Sequence, residues 1–290
     1  MGPRSRSIEL GENDVAKGLS REQVSAYERD GYLAPIPVYT ETEMAEIRKR
    51  LEDLQARHPD ATKKIDLKAH LVCPWLDEMI RHPKLLDVAE SVLGSSDLLC
   101  WTSSFRFKKP HSPTYAGWHQ DTMYIKVEPA VTFWIAFTEA GRENGGMRVI
   151  PGSHKGPLLP HKDTEDKNSI LTRGQYITAP IDESKAIDVR LKPGEAAIFN
   201  HNLIHGSNGN PSDRWRILFL PSYMPTSAII KGSRDCAALV RGEDRYGNFE
   251  LEPRCPGEMT PEAVEAHRVA VGFAAATMYK DASHTPVSLG

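Results

Sequence analysis

Up to about residue 95 the apolar positions of the chain recur at helical spacing; after it they gather into short runs cut by turn residues. Ser20-Arg21-Glu22-Gln23 opens the first helix as a capping box, with Gly31 at its end. Tyr32–Pro37 reads as extended chain, because Pro35 and Pro37 disfavour helix there. Thr40-Glu41-Thr42-Glu43 is a second capping box, followed by Met44, Ile47, Leu51 and Leu54 with charges between them. Leu85, Leu86, Ala89, Val92 and Leu93 before Gly94 predict a third helix over about 83–93.

From Leu98 the texture is that of short strands. Leu98–Phe107, Val131–Phe137, Met147–Ile150, Ala186–Leu191, Ala196–Phe199 and Arg216–Tyr223 are apolar runs, the second rich in β-prone aromatic and branched side chains. Gly145-Gly146, Pro151-Gly152 and Pro193-Gly194 punctuate them. Many short strands separated by such turns predict a β-sandwich or barrel. Segment 160–185 is polar and reads as a long loop over one end of it. From Thr260-Pro261, a cap and a first-turn proline, the chain returns to helix. The stretch before about Gly18 is polar and expected to be frayed.

The chain has 290 residues, 40% hydrophobic and 26% charged, which excludes an intrinsically disordered chain and supplies a sizeable core. No internal repeat or linker divides it, so a single domain over 1–290 is expected: a helical bracing region over 1–95, a β core over 96–225 and an extension over 226–290. Its formal charge of −3 gives no reason to expect nucleic acid or an anionic membrane as partner. No apolar run approaches the ~18 residues of a membrane span. The polar start, Met1 to Arg6, has no hydrophobic signal segment behind it, so a cytoplasmic location is expected. Cys73, Cys100, Cys236 and Cys255 form no CxxC pair and read as reduced thiols.

The chemistry concentrates in Trp118-His119-Gln120-Asp121. On an extended chain an imidazole and a carboxylate two residues apart point to the same side, where both can bind one metal. A third ligand has two candidates, His201 and His205, in Asn200–Ser207. Two histidines and a carboxylate on one face of an octahedron are the ligand set of non-haem Fe(II) oxygenases, whose open positions accept a cosubstrate and O2. His-x-Asp alone is weak; the order of the downstream residues strengthens it. His205 lies beyond a Pro-Gly turn and an apolar strand, and Arg216 heads the next one. A guanidinium suits bidentate capture of a carboxylate, and Arg214 competes with Arg216 for that role. His70, His111 and Tyr124 are weaker candidates for facing a substrate, against a packed or surface reading for each. His154, in a Pro-Gly-Ser-His turn, reads as a capping or packing residue.

Together these segments resemble the phytanoyl-CoA dioxygenase-like family of Fe(II)/2-oxoglutarate oxygenases. The matching text is Trp118–Asp121, Thr132–Phe137, Glu143–Met147, Val149–His154 and Leu191–His205 with Arg216, and the resemblance starts as early as about Leu19. It looks nearer to the bacterial small-molecule hydroxylases and the related halogenases than to the lipid-CoA enzymes. The resemblance implies a mainly β fold with flanking helices, a double-stranded β-helix or cupin-like jelly roll. It implies His119, Asp121 and His205 as catalytic iron ligands, since the distal ligand of the pattern immediately precedes Gly206. It further implies Arg216 as the anchor for the far carboxylate of 2-oxoglutarate, and Trp134 as either a wall of the cosubstrate pocket or plain core. Fe(II), 2-oxoglutarate and O2 would then serve to hydroxylate an unactivated C–H bond of a small polar metabolite or natural-product intermediate, releasing succinate and CO2. Desaturation, cyclisation and halogenation are rival outcomes, and a metal-binding jelly roll without turnover is a rival of another class. In the related halogenases a small residue stands where this chain has Asp121, and Arg216 has no use in a mere binding module.

Overall fold

A computed structural model describes residues 18–123, 127–230 and 234–279 together with Ala282, and in it the apolar runs form two packed sheets braced by helices. Most of the stretch expected to be frayed, residues 1–17, lies outside the described residues, as does Tyr124. In chain order the principal helices are α1 (Arg21–Asp30), α2 (Glu41–Arg57), α3 (Pro74–Met79), α4 (Pro83–Leu93) and α5 (Pro261–Met278). The strands of the first half are β1 (Tyr32–Pro37), β2 (Leu98–Lys108), β3 (Ala116–His119), β4 (Val131–Ala136) and β5 (Arg148–Val149). Those of the second half are β6 (Ile187–Asp188), β7 (Glu195–Asn200), β8 (His205–Ser207), β9 (Arg216–Pro225), β10 (Cys236–Arg241) and β11 (Glu250–Leu251).

Both capping boxes form as the sequence predicts, with Ser20 accepting from the Gln23 amide and Thr40 from the Glu43 amide. Gly31 ends α1 with φ 79°, the left-handed region, and a Cβ there would strike the His154 ring. That contact explains His154: it packs under the turn, its Nε2 3.2 Å from the Glu28 carbonyl. The short α3, begun by Pro74, had no periodic signature long enough to predict.

The larger sheet runs β1-β7-β4-β9-β2-β10-β11, and the smaller runs β3-β8-β5-β6. Every residue of β4 is buried, because its two faces are both covered. Val131, Phe133 and Ile135 turn toward helices α2 and α4, in one cluster with Met44, Leu51 and Leu85. Trp134 and Ala136 turn the other way, toward Val149, Val189 and Leu203 on the side of the smaller sheet. A strand buried on both faces reads as an unbroken apolar run, which is why alternation was absent from the sequence. The larger sheet also recruits strands from outside the 96–225 span. β1 adds to one edge beside β7, and β10 pairs with β2.

A buried polar cluster ties the C-terminal segment to this frame. Lys68 Nζ lies 2.6 Å from Glu252 Oε1, and His70 Nε2 lies 2.7 Å from Glu252 Oε2. His70 also meets Ser103 Oγ at 2.8 Å, so this histidine, a candidate for facing substrate, is a buried structural residue outside the metal cavity. Burial by itself would raise the Glu252 carboxyl; Lys68 and His70 outweigh it and bring the carboxyl down to about 2 from its ordinary 4.5. A carboxyl depressed in the fold contributes stability above pH 4.5 and loses it as pH falls through about 2. Glu252→Gln is therefore expected to cost about 3–5 kcal/mol near neutral pH, by leaving Lys68 charged and unpaired. It should also flatten the loss of stability toward acid. Urea melts from pH 2 to pH 7 measure both, and a variant as stable as the parent at pH 7 would refute the clamp.

Candidate metal centre and its cavity

His119 is the last residue of β3 and His205 the first of β8. The antiparallel register sets the two directly opposite, with ring centroids 4.1 Å apart. Asp121 completes the group: its Oδ1 lies 3.4 Å from His119 Nε2 and 3.9 Å from His205 Nε2. One ligand atom from each of the three lies within 4.8 Å of the other two, and all three residues are buried. Donors ~2.1 Å from a shared ion sit ~3 Å apart at right angles, so these separations fit a single octahedral metal.

Asp121 does not lie on an extended chain, as the sequence argument supposed. β3 ends at His119, and Asp121–Met123 form a 3-10 turn. The turn is fixed by the Thr122 amide donating to the His201 carbonyl at 3.1 Å. The residue between the ligands, Gln120, is buried and points elsewhere. Its amide nitrogen donates to the Asn202 side-chain oxygen at 2.9 Å, and its oxygen accepts from the Leu159 amide at 2.9 Å. Gln120 thus straps the ligand turn to the start of the long loop.

The protonation pattern suits a cation. His119 Nδ1 faces the Gly117 carbonyl at 2.8 Å and His205 Nδ1 the Leu203 carbonyl at 2.9 Å. A carbonyl only accepts, so each Nδ1 carries the proton and each Nε2 presents a lone pair inward. Burial, with His119 beside it, brings His205 down to about 4 and keeps it neutral at pH 7. Three donor atoms brought this close together suit a shared divalent ion.

The centre opens into a partly enclosed cavity that joins polar and apolar walls. Phe199, Trp134 and Leu220 line it with Arg216, Arg106 and Ser207. Arg216 heads β9, is 1% exposed, and its Nε has no hydrogen-bond partner among the described residues. Burial and the neighbouring Arg106 charge push its guanidinium down to about 9. Trp134 belongs to the core cluster and to the cavity wall at once, and its Nε1 also lacks a partner. Ile170, Leu171 and Thr172 of the long loop contribute the remaining wall. The loop is held by the buried Arg173–Asp163 pair at 2.7 Å and by Tyr279, just past α5, donating to the Thr172 carbonyl at 2.9 Å.

The other sequence candidates fall outside. His201 is buried, but its Nε2 meets Thr132 Oγ1 at 2.8 Å and it is not one of the three converging residues. Arg214 is exposed and pairs with Glu139. His111 sits on the surface, 2.7 Å from Asp213. Sequence reasoning missed Lys108, Arg106 and Ser207. Ser207 was within reach, two residues past His205 on one strand. Lys108 was not, because only the pairing of β2 with β9 sets it opposite Arg216.

Comparison with known proteins agrees with this geometry. The family described as phytanoyl-CoA dioxygenase (PhyH) matches residues 27–218. The chain belongs to the phytanoyl-CoA dioxygenase family. It is 26% identical over 227 residues to a probable phytanoyl-CoA dioxygenase of Caenorhabditis elegans, covering 68% of this chain and 73% of that one. It is 25% identical over 237 residues to ectoine dioxygenase of Bordetella bronchiseptica, covering 72% and 76%. Among solved structures, the non-heme monooxygenase ThoJ superposes with a TM-score of 0.77 at 30% identity, covering 89% of this chain and 98% of that one. As a member of the phytanoyl-CoA dioxygenase family the chain is an enzyme, and its two sheets are those of the family's jelly roll.

His119→Ala, Asp121→Ala and His205→Ala are each expected to weaken Fe(II) binding more than tenfold while circular dichroism stays unchanged. His201→Ala should bind within a few-fold of the parent. Anaerobic Fe(II) titration decides, and metal loss in the His201 variant with retention in the His205 variant would reverse the assignment.

Proposed function

We propose that this protein is an Fe(II)/2-oxoglutarate-dependent dioxygenase that hydroxylates an unactivated C–H bond of a small polar metabolite or natural-product intermediate. The observation that carries the reading is the joining, in one cavity, of three inward-facing ligand atoms and a buried arginine that has no carboxylate partner among the described residues. His119, Asp121 and His205 would hold the iron. When bound, Fe(II) supplies the activation of O2 that couples decarboxylation of 2-oxoglutarate, to succinate and CO2, to insertion of the second oxygen atom into substrate.

The protein's own part is binding, orientation and exclusion of water. Arg216 would fix the far carboxylate of the cosubstrate through a charged fork of hydrogen bonds. Trp134 walls the site, its ring meeting that of Phe199 edge-on at 5.8 Å. The carbonyls of Gly117 and Leu203 hold the two imidazoles in the tautomer that ligates. Asp121 occupies the position that a halide would need, so the geometry favours oxygen transfer to substrate.

The direct experiment is anaerobic loading with Fe(II) and 2-oxoglutarate, then exposure to O2 with a panel of small polar metabolites while succinate is measured. A protein that releases no succinate with any substrate, and consumes no 2-oxoglutarate on its own, would defeat the reading. Arg216→Leu is expected to raise the KM for 2-oxoglutarate roughly 10- to 100-fold through loss of charged hydrogen bonds, and Arg214→Leu less than about twofold. Product formed in high bromide should carry no bromine isotope pattern by mass spectrometry; a brominated product would mark a halogenase instead.

A further inference from the structure

A second groove lies between α2 and α3 and shares no lining residue with the metal cavity. One wall is a face of α2, with Glu46, Ile47 and Arg50; the other is a face of α3, with Trp75, Glu78 and Met79. Tyr39 and His82 complete the lining, their rings tilted with centroids 4.7 Å apart. The polar atoms of this aromatic floor are unanswered. Trp75 is 9% exposed, and its Nε1–H has no acceptor among the described residues. The Tyr39 hydroxyl and His82 Nδ1 are buried atoms that likewise lack a partner there. Buried polar atoms are nearly always hydrogen-bonded, so orphans gathered around one groove mark a place for a polar molecule. The rim is unpaired as well. α2 makes one ordinary i, i+4 ion pair, Arg48 with Glu52 at 3.0 Å. Glu46 and Arg50 have the same spacing, yet neither they nor Glu78 form an ion pair among the described residues. Glu43, the remaining acid of the groove, is committed to the helix cap, accepting from the Thr40 amide at 2.7 Å.

We propose that this groove binds a free α-amino acid with an apolar side chain, as the zwitterion, at a site separate from the metal centre. Arg50 holds the carboxylate through charged hydrogen bonds. Glu46 and Glu78 hold the ammonium from the two facing helices. The apolar side chain lies on Trp75, Ile47 and Met79, whose ring and thioether surfaces accept aliphatic and aromatic groups alike. The carboxylate also brings acceptor atoms to a floor whose indole N–H and tyrosine hydroxyl have none. A plain anion would meet two unpaired carboxylates, and a plain amine would leave Arg50 and the floor donors unanswered. Only a molecule carrying both charges satisfies the whole lining. Binding is non-covalent, and because it joins α2 to α3 it stabilises the folded chain by mass action. The proposal stands apart from the 2-oxoglutarate reading.

The test is calorimetric titration of the full chain, loaded with Fe(II) and 2-oxoglutarate without oxygen. The probes are L-phenylalanine and L-leucine, with phenethylamine, which lacks the carboxylate, and 3-phenylpropionate, which lacks the ammonium. At least one amino acid is expected to bind with a Kd below about 1 mM and to raise Tm with its concentration. Each truncated probe should bind at least about tenfold more weakly than L-phenylalanine. Arg50→Gln should weaken the amino acid about tenfold and leave phenethylamine within about twofold. Glu46→Gln with Glu78→Gln should weaken the amino acid similarly and leave 3-phenylpropionate no weaker than in the parent. These side chains are exposed, so the variants should keep the parent's circular dichroism and its Kd for 2-oxoglutarate. Amino-acid binding that is unchanged in both groove variants would place the ligand elsewhere and overturn the proposal. A truncated probe that binds as tightly as L-phenylalanine would overturn it too, as would no heat and no Tm shift with either amino acid at about 10 mM. Failure of 2-oxoglutarate to bind the parent would instead bear on the functional reading above, and the same titrations on the metal-free chain would still decide this one.

Discussion

The antiparallel pairing of β8 with β3 is the contact on which the site depends. It sets His205 opposite His119 although the two are far apart in sequence, while the Gly117 and Leu203 carbonyls orient the two rings. A slip of one residue by either strand would send its imidazole to the other face. β5 on the far side of β8 and the covering larger sheet hold the register, because Val149 and Leu203 are core residues that cannot be turned out to water. The ligand geometry is thus a by-product of apolar burial nearby.

The interior is unusual for the charges it keeps. Arg216 lies buried with no acid paired to it among the described residues, and Asp121 lies buried between the imidazoles of His119 and His205. Each arrangement is costly in the empty protein, since a desolvated charge without a counter-ion is unfavourable. The costs have opposite sign and occupy one cavity: a place that wants a cation and a place that wants an anion. A metal ion and a dicarboxylate that chelates it relieve both. In contrast, Lys68, His70 and Glu252 form a cluster closed on itself, with every charge answered inside the protein, and serve the frame.

The helices of the first third serve the same end. Met44, Leu51 and Leu85 cover one face of the larger sheet, so its strands are apolar on both sides and cannot slide without exposing a core row. The long loop closes the other end of the structure, held by the Arg173–Asp163 pair and by Gln120, and brings Ile170 and Leu171 against the cavity. Substrate therefore meets a wall made of loop residues on a scaffold made of strands, the usual division between what varies and what holds.

By itself the sequence indicated the elements and the three residues that the fold brings together. Capping boxes at Ser20 and Thr40, the cap at Thr260 and the unbroken apolar runs from Leu98 are local signals, and local signals survive in one dimension. His119 and Asp121 were legible because they are neighbours. His205 could be chosen over His201, and Arg216 over Arg214, through the family pattern; spacing left both pairs open. Tertiary structure alone decided the rest. It showed Asp121 on a 3-10 turn instead of a strand, since the turn is made by a hydrogen bond to His201 on a distant segment. It drew β1 and β10 into the main sheet, because strand partnership is a long-range choice that short apolar runs do not encode singly. It made His70 structural by bringing Glu252 to it, and it set Lys108 beside Arg216 through a ladder joining segments more than a hundred residues apart. Charges that meet only across a sheet have no sequence signature, and the electrostatics of this cavity come entirely from such meetings.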